Sequence, residues 1–163
     1  MYYFYPMNAL YKALLPITAA AFLLAGCTQL GVFEKNASFK NHAWESSNHP
    51  SFTFTISDTT ALYNLYVVIR HTDAYRFNNI WLKLSRQGPD TTYTQQLDLS
   101  LANTTQGWLG TGMDDIWEQR IPITEGAFRF RKSGNYTFTL EQIMRQDPLQ
   151  HVLNAGIRVE KQP

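Results

Sequence analysis

The sequence predicts an all-β domain, an antiparallel β-sandwich of the jelly-roll type with little helix. After residue 50, segments in which apolar and polar residues alternate recur roughly every ten residues, separated by glycine, asparagine and Asp/Pro turn signals. No long segment has the 3.6-residue period of an amphipathic helix. Two short stretches are helical candidates: 141–145, which continues a strand pattern, and 149–153, which has the length of a single turn.

Four strands are predicted in the first half of the domain. Residues 52–56 alternate phenylalanine or isoleucine with threonine, which is typical of a strand with one buried face. Residues 63–71 are rich in β-branched and aromatic side chains, which indicates a central strand covered on both faces. Residues 80–99 alternate on both sides of Gly88-Pro89-Asp90, so we expect a hairpin there.

The second half of the domain contains shorter predicted strands. They are expected within 107–112 and at 116–117, 120–123, 128–130, 136–144 and 156–160. The stretch from Thr28 to about Pro50 is polar with scattered aromatic residues, and we interpret it as a tether followed by a loosely structured lead-in. The sandwich domain is therefore predicted to span 51–163.

The N-terminal residues match a bacterial lipoprotein signal. Ala13 to Ala25 is an apolar run with the length of a signal-peptide core, too short to cross a bilayer as a helix. Lys12 supplies the preceding positive charge. Leu24-Ala25-Gly26-Cys27 then matches the site at which a peptidase cuts before a cysteine that receives diacylglycerol.

These features divide the N-terminal region in two. We expect 1–26 to be a removed signal peptide, with Met1 or Met7 as its start, and 27–50 to begin with lipidated Cys27. The alternative is an ordinary buried helix with a chance cysteine, but small residues at both positions before Cys27 favour the signal. Several acyl chains make membrane attachment effectively permanent.

Composition excludes several classes of protein. The chain has 14 Lys and Arg against 13 Asp and Glu, so it lacks the basic excess with which proteins meet nucleic-acid phosphates. Cys27 is the only cysteine, and its lipidation leaves no thiol for a disulfide, a metal or a nucleophile.

Catalytic motifs are absent from the sequence. It contains no G-x-S-x-G elbow, no H-E-x-x-H zinc motif and no G-x-G-x-x-G or P-loop phosphate cradle. The four histidines are dispersed, and each is interpreted as a surface or hydrogen-bonded residue: His42, His49, His71 and His151. We therefore expect no enzyme activity, cofactor, metal or small-molecule substrate.

The segment 107–118 combines features of a binding surface. Three glycines allow the backbone to approach a ligand or another chain closely, and two tryptophans and several carboxylates follow. The candidate partner-binding residues are Trp108, Asp114, Asp115 and Trp117. A second interpretation is a bulged edge strand leading into a solvated acidic turn, with both tryptophans in the core. A hydrolytic carboxylate pair of the glycosidase kind also stays open.

Aromatic residues allow a different kind of binding. An exposed row of rings on a sandwich stacks against sugars, and some side chains would face outward if Leu65 and Leu82 face inward. These candidates are Tyr63, Tyr66, Tyr75, Phe77 and Trp81. Core packing is the simpler explanation of the same pattern.

Taken in order, these segments resemble the gliding-motility lipoprotein GldH family of the Bacteroidetes. The likeness covers nearly the whole mature domain and depends on order and coverage rather than on any catalytic motif. It includes Phe33-Glu34, Phe52-Thr53-Phe54, Tyr63 to Arg70, Asn79 to Leu82, Gly107 to Gly110, Gly134 to Arg145 and Gly156 to Lys161.

The resemblance implies a non-enzymatic lipoprotein of the gliding and type IX secretion machinery, with protein partners in that apparatus. Thr28 follows the cysteine in place of the aspartate that retains lipoproteins at the inner membrane. The next residues lack the acidic run associated with surface export. We therefore expect anchoring in the outer membrane at its periplasmic face.

Overall fold

The computed structural model describes residues 31–162. The thirteen strands in this range, numbered in chain order, include five of only two or three residues. They are β1 Val32–Ser38, β2 Ala43–Trp44, β3 Ser51–Ile56, β4 Tyr63–Thr72, β5 Asn79–Gln87, β6 Thr92–Ser100, β7 Ala102–Asn103, β8 Gly107–Trp108, β9 Thr111–Met113, β10 Ile116–Pro122, β11 Gly134–Gln142, β12 Leu149–Gln150 and β13 Val152–Lys161.

The long strands form two antiparallel sheets that pack face to face. One sheet has the order β1-β13-β4-β10-β9, and the other has the order β3-β11-β5-β6. Counted among the eight long strands alone, these orders are 1-8-3-6 and 2-7-4-5, the arrangement of a jelly roll. The expected all-β fold class is therefore confirmed.

The core lies between the sheets because alternate residues of each strand face inward. In β3 the side chains of Phe52, Phe54 and Ile56 are buried and the intervening ones are exposed, as the alternation predicted. The Phe54 ring joins the two sheets, with its centroid 5.2 Å from that of Phe33 and 5.4 Å from that of Phe138. Burial of each such ring contributes about 2 to 3 kcal/mol to stability.

The central strand β4 is covered on both faces, as expected. Leu65, Val67 and Ile69 face the core, while Val68 on the opposite face is only 1% exposed. Charged side chains of the neighbouring strands surround that outer face. Arg158 and Arg120 both bind Glu34, with Nη1 and Nε respectively at 2.8 and 3.0 Å from Oε2.

The ion pairs around Glu34 set its ionisation. Burial raises the pKa of this carboxyl, but hydrogen bonds from Arg120 and Arg158 outweigh it and hold the pKa below its ordinary value. Glu34 therefore ties β1 to β13 and β10 across the outer face of the sheet.

The expected boundary of the domain at residue 51 is wrong on its N-terminal side. Residues 32–38 form β1, which pairs with β13 from Val32↔Glu160 to Ser38↔Asn154. Phe39 and Trp44 are buried and stacked, with ring centroids 4.6 Å apart. The residues between 31 and 50 are therefore an integral part of the sandwich.

Other local predictions differ in detail. Residues 116–122 form one strand rather than two, and 128–130 contribute a single bridge, Tyr63↔Phe128, instead of a strand. Neither 141–145 nor 149–153 is helical, and the helix in the described range is a 3-10 turn at Lys40–His42. No helix within 31–162 is long and apolar enough to span a membrane.

The antiparallel connections alternate between the two ends of the sandwich. The end that we call the Gly31 end carries Gly31, Gln162 and the loops 57–62, 88–91 and 123–133. The end that we call the Trp108 end carries the connections 39–50, 73–78, 101–115 and 143–151. The ten residues of β4 separate these ends by about 30 Å.

Candidate functional site

Short strand pairs build the segment 107–118 at the Trp108 end. β7 pairs with β8, and β9 pairs with β10 in a hairpin that extends the five-stranded sheet. Gly110, with φ of 89°, joins the two pairs, and a Cβ there would collide with the backbone oxygen of Glu118. Glycine is required at this position by both backbone conformation and close approach.

Trp108 is a partly buried side chain that packs against the core. Its ring centroid lies 4.6 Å from that of His71 in an edge-on arrangement and 6.3 Å from that of Tyr75. The ring therefore closes the Trp108 end of the core while one part of it stays accessible.

Trp117 is partly exposed and covers a glycine of the neighbouring strand. It is paired with Gly112, where an added Cβ would lie 3.0 Å from three atoms of the indole ring. On its other side Trp117 is paired with His71 of β4. Both tryptophans are therefore neighbours of His71. The ring of Trp108 contacts the His71 ring, and the backbone of Trp117 is paired with the backbone of His71.

Asp114 and Asp115 form the turn between β9 and β10. Both side chains are exposed, and Asp114 has φ of 55°, which aspartate tolerates better than most residues. The backbone oxygen of Asp115 accepts a hydrogen bond of 2.8 Å from the N–H of Asp73, which fixes the turn. Met113 beside them is 71% exposed.

An apolar methionine, two carboxylates and the edge of Trp117 lie on one hairpin. Within 31–162 no group of three or more His, Cys, Asp or Glu side chains is placed to hold a metal ion. The four candidate residues thus occupy one end of the domain, with Trp108 the most integrated into the core.

His71 lies beneath this surface, fully buried. Its Nδ1–H donates to the backbone oxygen of Thr72 at 2.8 Å, and its Nε2 has no hydrogen-bond partner among the described residues. Burial lowers the pKa of the imidazole, although the hydrogen bond to Thr72 opposes the shift. The sequence interpretation of a hydrogen-bonded histidine was correct, but its complete burial was missed.

The aromatic candidates for sugar stacking do not form a row. Tyr63 and Tyr75 are buried, and Phe77 packs against the core. Trp81, 39% exposed, lies on the outer face of the four-stranded sheet. Tyr66 lies on the outer face of the other sheet. The exposed Tyr93 lies on the same face of the four-stranded sheet as the inward-facing residues of β6, whereas Trp81 lies on the opposite face.

The Gly31 end contains a cavity that the sequence analysis did not predict. Its volume is about 310 Å³, and arginine and aromatic side chains line it. Its charged lining residues are Arg86, Asp90, Arg129 and Arg131. The signal in the sequence was Phe128-Arg129-Phe130-Arg131-Lys132, which was interpreted only as a short strand.

Cys27, the expected lipidation site, lies outside the described residues. The geometry of 31–162 defines a class of protein, an all-β domain with jelly-roll topology.

Comparison with known proteins identifies the family. A family model described as GldH lipoprotein matches residues 31–159, so the chain belongs to the GldH lipoprotein family. It is 29% identical over 150 residues to the gliding motility lipoprotein GldH of Flavobacterium johnsoniae, covering 87% of this chain and 92% of that protein. It is 26% identical over 147 residues to a gliding motility lipoprotein GldH homolog of Christiangramia forsetii, covering 85% and 89%.

Proposed function

We propose that this chain is a lipid-anchored, non-enzymatic component or assembly factor of the gliding motility and type IX secretion machinery. The family match over 31–159 carries the proposal, because it covers nearly the whole described sandwich and the relatives are named as gliding motility lipoproteins. Cys27 carries the lipid, and the domain lies at the periplasmic face of the outer membrane.

The partner binds at the Trp108 end. Only three residues, Thr28 to Leu30, separate Cys27 from Gly31, so the Gly31 end stays close to the membrane. The Trp108 end lies about 30 Å from that attachment, along the length of β4, and is therefore the end that can extend furthest from the lipid surface. The β9–β10 hairpin there presents Met113 on one face, the partly exposed Trp117 on the other and Asp114 and Asp115 at its turn, a mixture of an aromatic ring, a methionine and charges that suits a protein interface.

An open strand edge also favours a protein partner. β6 pairs only with β5, which leaves the other side of its nine residues without a strand neighbour in the described part of the chain. Asp98 is the only charged residue of β6, and the strand contains neither lysine nor proline. Edges without such protection are templates for strand addition by another polypeptide.

The alternative function, glycan binding through exposed aromatic rings, has weaker support. Sugar binding by stacking needs several aromatic rings on one surface, whereas Trp81 and Tyr93 lie on opposite faces of the four-stranded sheet. A glycan array with the lipidated protein gives a direct comparison, and specific retention of an oligosaccharide would favour this alternative.

Site-specific crosslinking tests the proposed docking end. A photo-crosslinking residue replaces Met113 in one strain and Tyr93 of β6 in another, with a third at Tyr66 on the outer face of the five-stranded sheet as control. We expect covalent adducts with motility or secretion proteins from position 113 and none from position 66. Adducts from position 93 alone would move the interface to the open edge, and none from either would contradict the proposed role.

A further inference from the structure

The arginine-lined cavity at the Gly31 end has cationic side chains without carboxylate partners. The ion pairs among residues 31–162 use other cations, those of Lys83, Arg120, Arg158 and Lys161. Arg129 uses its Nε to donate to the backbone oxygen of Thr60 at 2.9 Å. Its terminal nitrogens, and the guanidinium of the exposed Arg131, make no hydrogen bond to the described residues.

Arg86 contributes a buried donor to the same cavity. Its Nε is buried without a hydrogen-bond partner in the described range, while its guanidinium carbon lies 5.7 Å from the centroid of the Tyr93 ring. Three arginines face a single lining carboxylate, that of Asp90. Planar guanidinium groups with free donors are suited to oxygen anions, above all phosphate, which they bind in a bidentate manner.

The cavity lies at the end of the domain where the chain enters from its N-terminal region. Thr60, the acceptor of Arg129, is in the same loop as Asp58, whose carboxylate pairs with Lys161 Nζ at 2.8 Å. The backbone N–H of Lys161 donates to the oxygen of Gly31 at 2.7 Å. The four residue steps from Gly31 to Cys27 span at most about 14 Å of extended chain.

The two ends of the sandwich also differ in charge. The connections of the Gly31 end carry three cations and three acids, Arg129, Arg131 and Lys132 with Asp58, Asp90 and Glu125, and the cavity adds Arg86. The connections of the Trp108 end carry three cations and five acids: Lys40, Arg76 and Arg145, with Glu45, Asp73, Asp114, Asp115 and Asp147. An anionic membrane surface therefore repels the Trp108 end, whereas the Gly31 end offers it the arginines of the cavity.

We propose that the cavity formed by Arg86, Arg129 and Arg131 binds the phosphate of an anionic lipid headgroup in the membrane that holds the chain. The inference rests on the proposed lipid anchor at Cys27, which keeps this cavity near the headgroups. A short lipid tether alone leaves the domain free to tilt, whereas a second contact beside it holds the β-strands upright. The Trp108 end is then directed away from the lipid.

Hydrogen exchange of the lipidated full-length protein tests this proposal. The protein is reconstituted in phosphatidylcholine vesicles with and without phosphatidylglycerol, and exchange is followed in peptides covering 126–132. We expect exchange there to slow by about tenfold when phosphatidylglycerol is present, because headgroup contacts order the loop. The R129Q/R131Q and R86Q variants should lose this protection.

A charge-matched variant separates the cavity from general attraction. K40Q/R76Q removes two exposed cations from the Trp108 end and should keep the full protection. Equal exchange in both kinds of vesicle, or equal loss of protection in the two double variants, would overturn the proposal. Protection by inorganic phosphate in phosphatidylcholine vesicles, equal to that by phosphatidylglycerol, would replace the headgroup with a free anion.

The intact mass of the protein distinguishes failure of the anchor from failure of the cavity. An acylated chain whose loop exchange ignores phosphatidylglycerol contradicts only the headgroup site. A chain without acyl groups contradicts the anchor, and with it the premise of the inference.

Discussion

At the scale of single residues, His71 links the core to the candidate interface. Its ring contacts Trp108, its backbone is paired with Trp117, and its Nδ1–H is committed to Thr72. A proton on Nε2 would place a charge in a fully buried site without a partner. Folding therefore favours the neutral imidazole.

The ionisation of His71 predicts a pH dependence of stability. Folding lowers the pKa of His71. The contribution of the neutral ring to the free energy of unfolding is therefore complete above the pKa of the unfolded state, about 6.5, and is lost as the pH falls through the pKa of the folded state. The midpoint of thermal unfolding should decrease from pH 7 to pH 5. His71→Asn, which retains a donor for Thr72, should flatten this slope. His42→Asn at an exposed position should leave it unchanged, and the same slope in all three proteins would exclude His71 as its cause.

The two tryptophans should respond differently to truncation. Trp108→Ala removes a ring from the core and should destabilise the domain by about 3 kcal/mol through the cavity that it leaves. Trp117→Ala should cost less stability, since the ring is partly exposed over Gly112, but should weaken partner binding by about 2 kcal/mol or more. Thermal melts together with co-purification of motility proteins measure both effects. If Trp117→Ala lowers the melting temperature more than Trp108→Ala does, Trp117 is a structural residue and not a partner-binding one.

At the scale of secondary-structure elements, β1 is a strand with a weak sequence pattern that long-range contacts hold in the sheet. Val32–Ser38 has weak alternation, and its burial is mostly partial. Seven paired positions along β13 and the ion pairs of Glu34 hold it in the sheet. The local alternation of apolar and polar residues contains no information about either of these long-range interactions. The sequence therefore predicts only a loosely structured lead-in at 32–38.

A substitution in β13 tests the attachment of β1. Gly156 is paired with Asn36, and a Cβ at this position would overlap the Asn36 side chain and the backbone oxygen of Lys35. Gly156→Ala should destabilise the domain by about 1 to 3 kcal/mol, as overpacking does, and should speed hydrogen exchange in 32–38. Asn36→Gly in the same chain should restore part of the loss. Unchanged exchange in 32–38 would mean that β1 shifts without detaching.

At the scale of the whole molecule, the jelly-roll topology gives the domain two ends with different loops. Every long connection of the sandwich lies at one end or the other, so the arginine-lined cavity and the acidic loops are separated by the length of β4. The chain enters at the end that holds the cavity. A lipid on Cys27 together with a headgroup in that cavity would orient the acidic, tryptophan-bearing end away from the lipid.

Anchoring itself is tested by changing the cysteine. Cys27→Ala should leave the signal peptide uncleaved and abolish fatty-acid labelling, and the protein should no longer fractionate with the outer membrane. Intact mass and membrane fractionation measure these outcomes, with the wild-type chain as reference. If the Cys27→Ala protein is processed, acylated and located like the wild type, lipid anchoring at Cys27 is contradicted.

Much of the fold follows from local chemistry. The period-two alternation of 52–56, the hairpin around Gly88-Pro89-Asp90 and the two-sided coverage of β4 depend on neighbours in sequence or on residue type. The lipoprotein signal and the absence of catalytic motifs also depend on short stretches of residues. Local patterns of residue type are therefore enough to predict all of these features.

Tertiary structure decided what depends on contacts between distant segments. The inclusion of β1, the burial of His71 and the partial exposure of both tryptophans all arise from pairing across the sheet. The arginine cavity needs Arg86 from β5 and Arg129 and Arg131 from the connection 123–133, which meet at one end of the sandwich. By itself the sequence determined the all-β fold class and predicted a lipid anchor without a catalytic motif, because these conclusions rest on residue types and local periods. Which side chains meet at each end is set by the order of strands in space, and local periods do not encode that order.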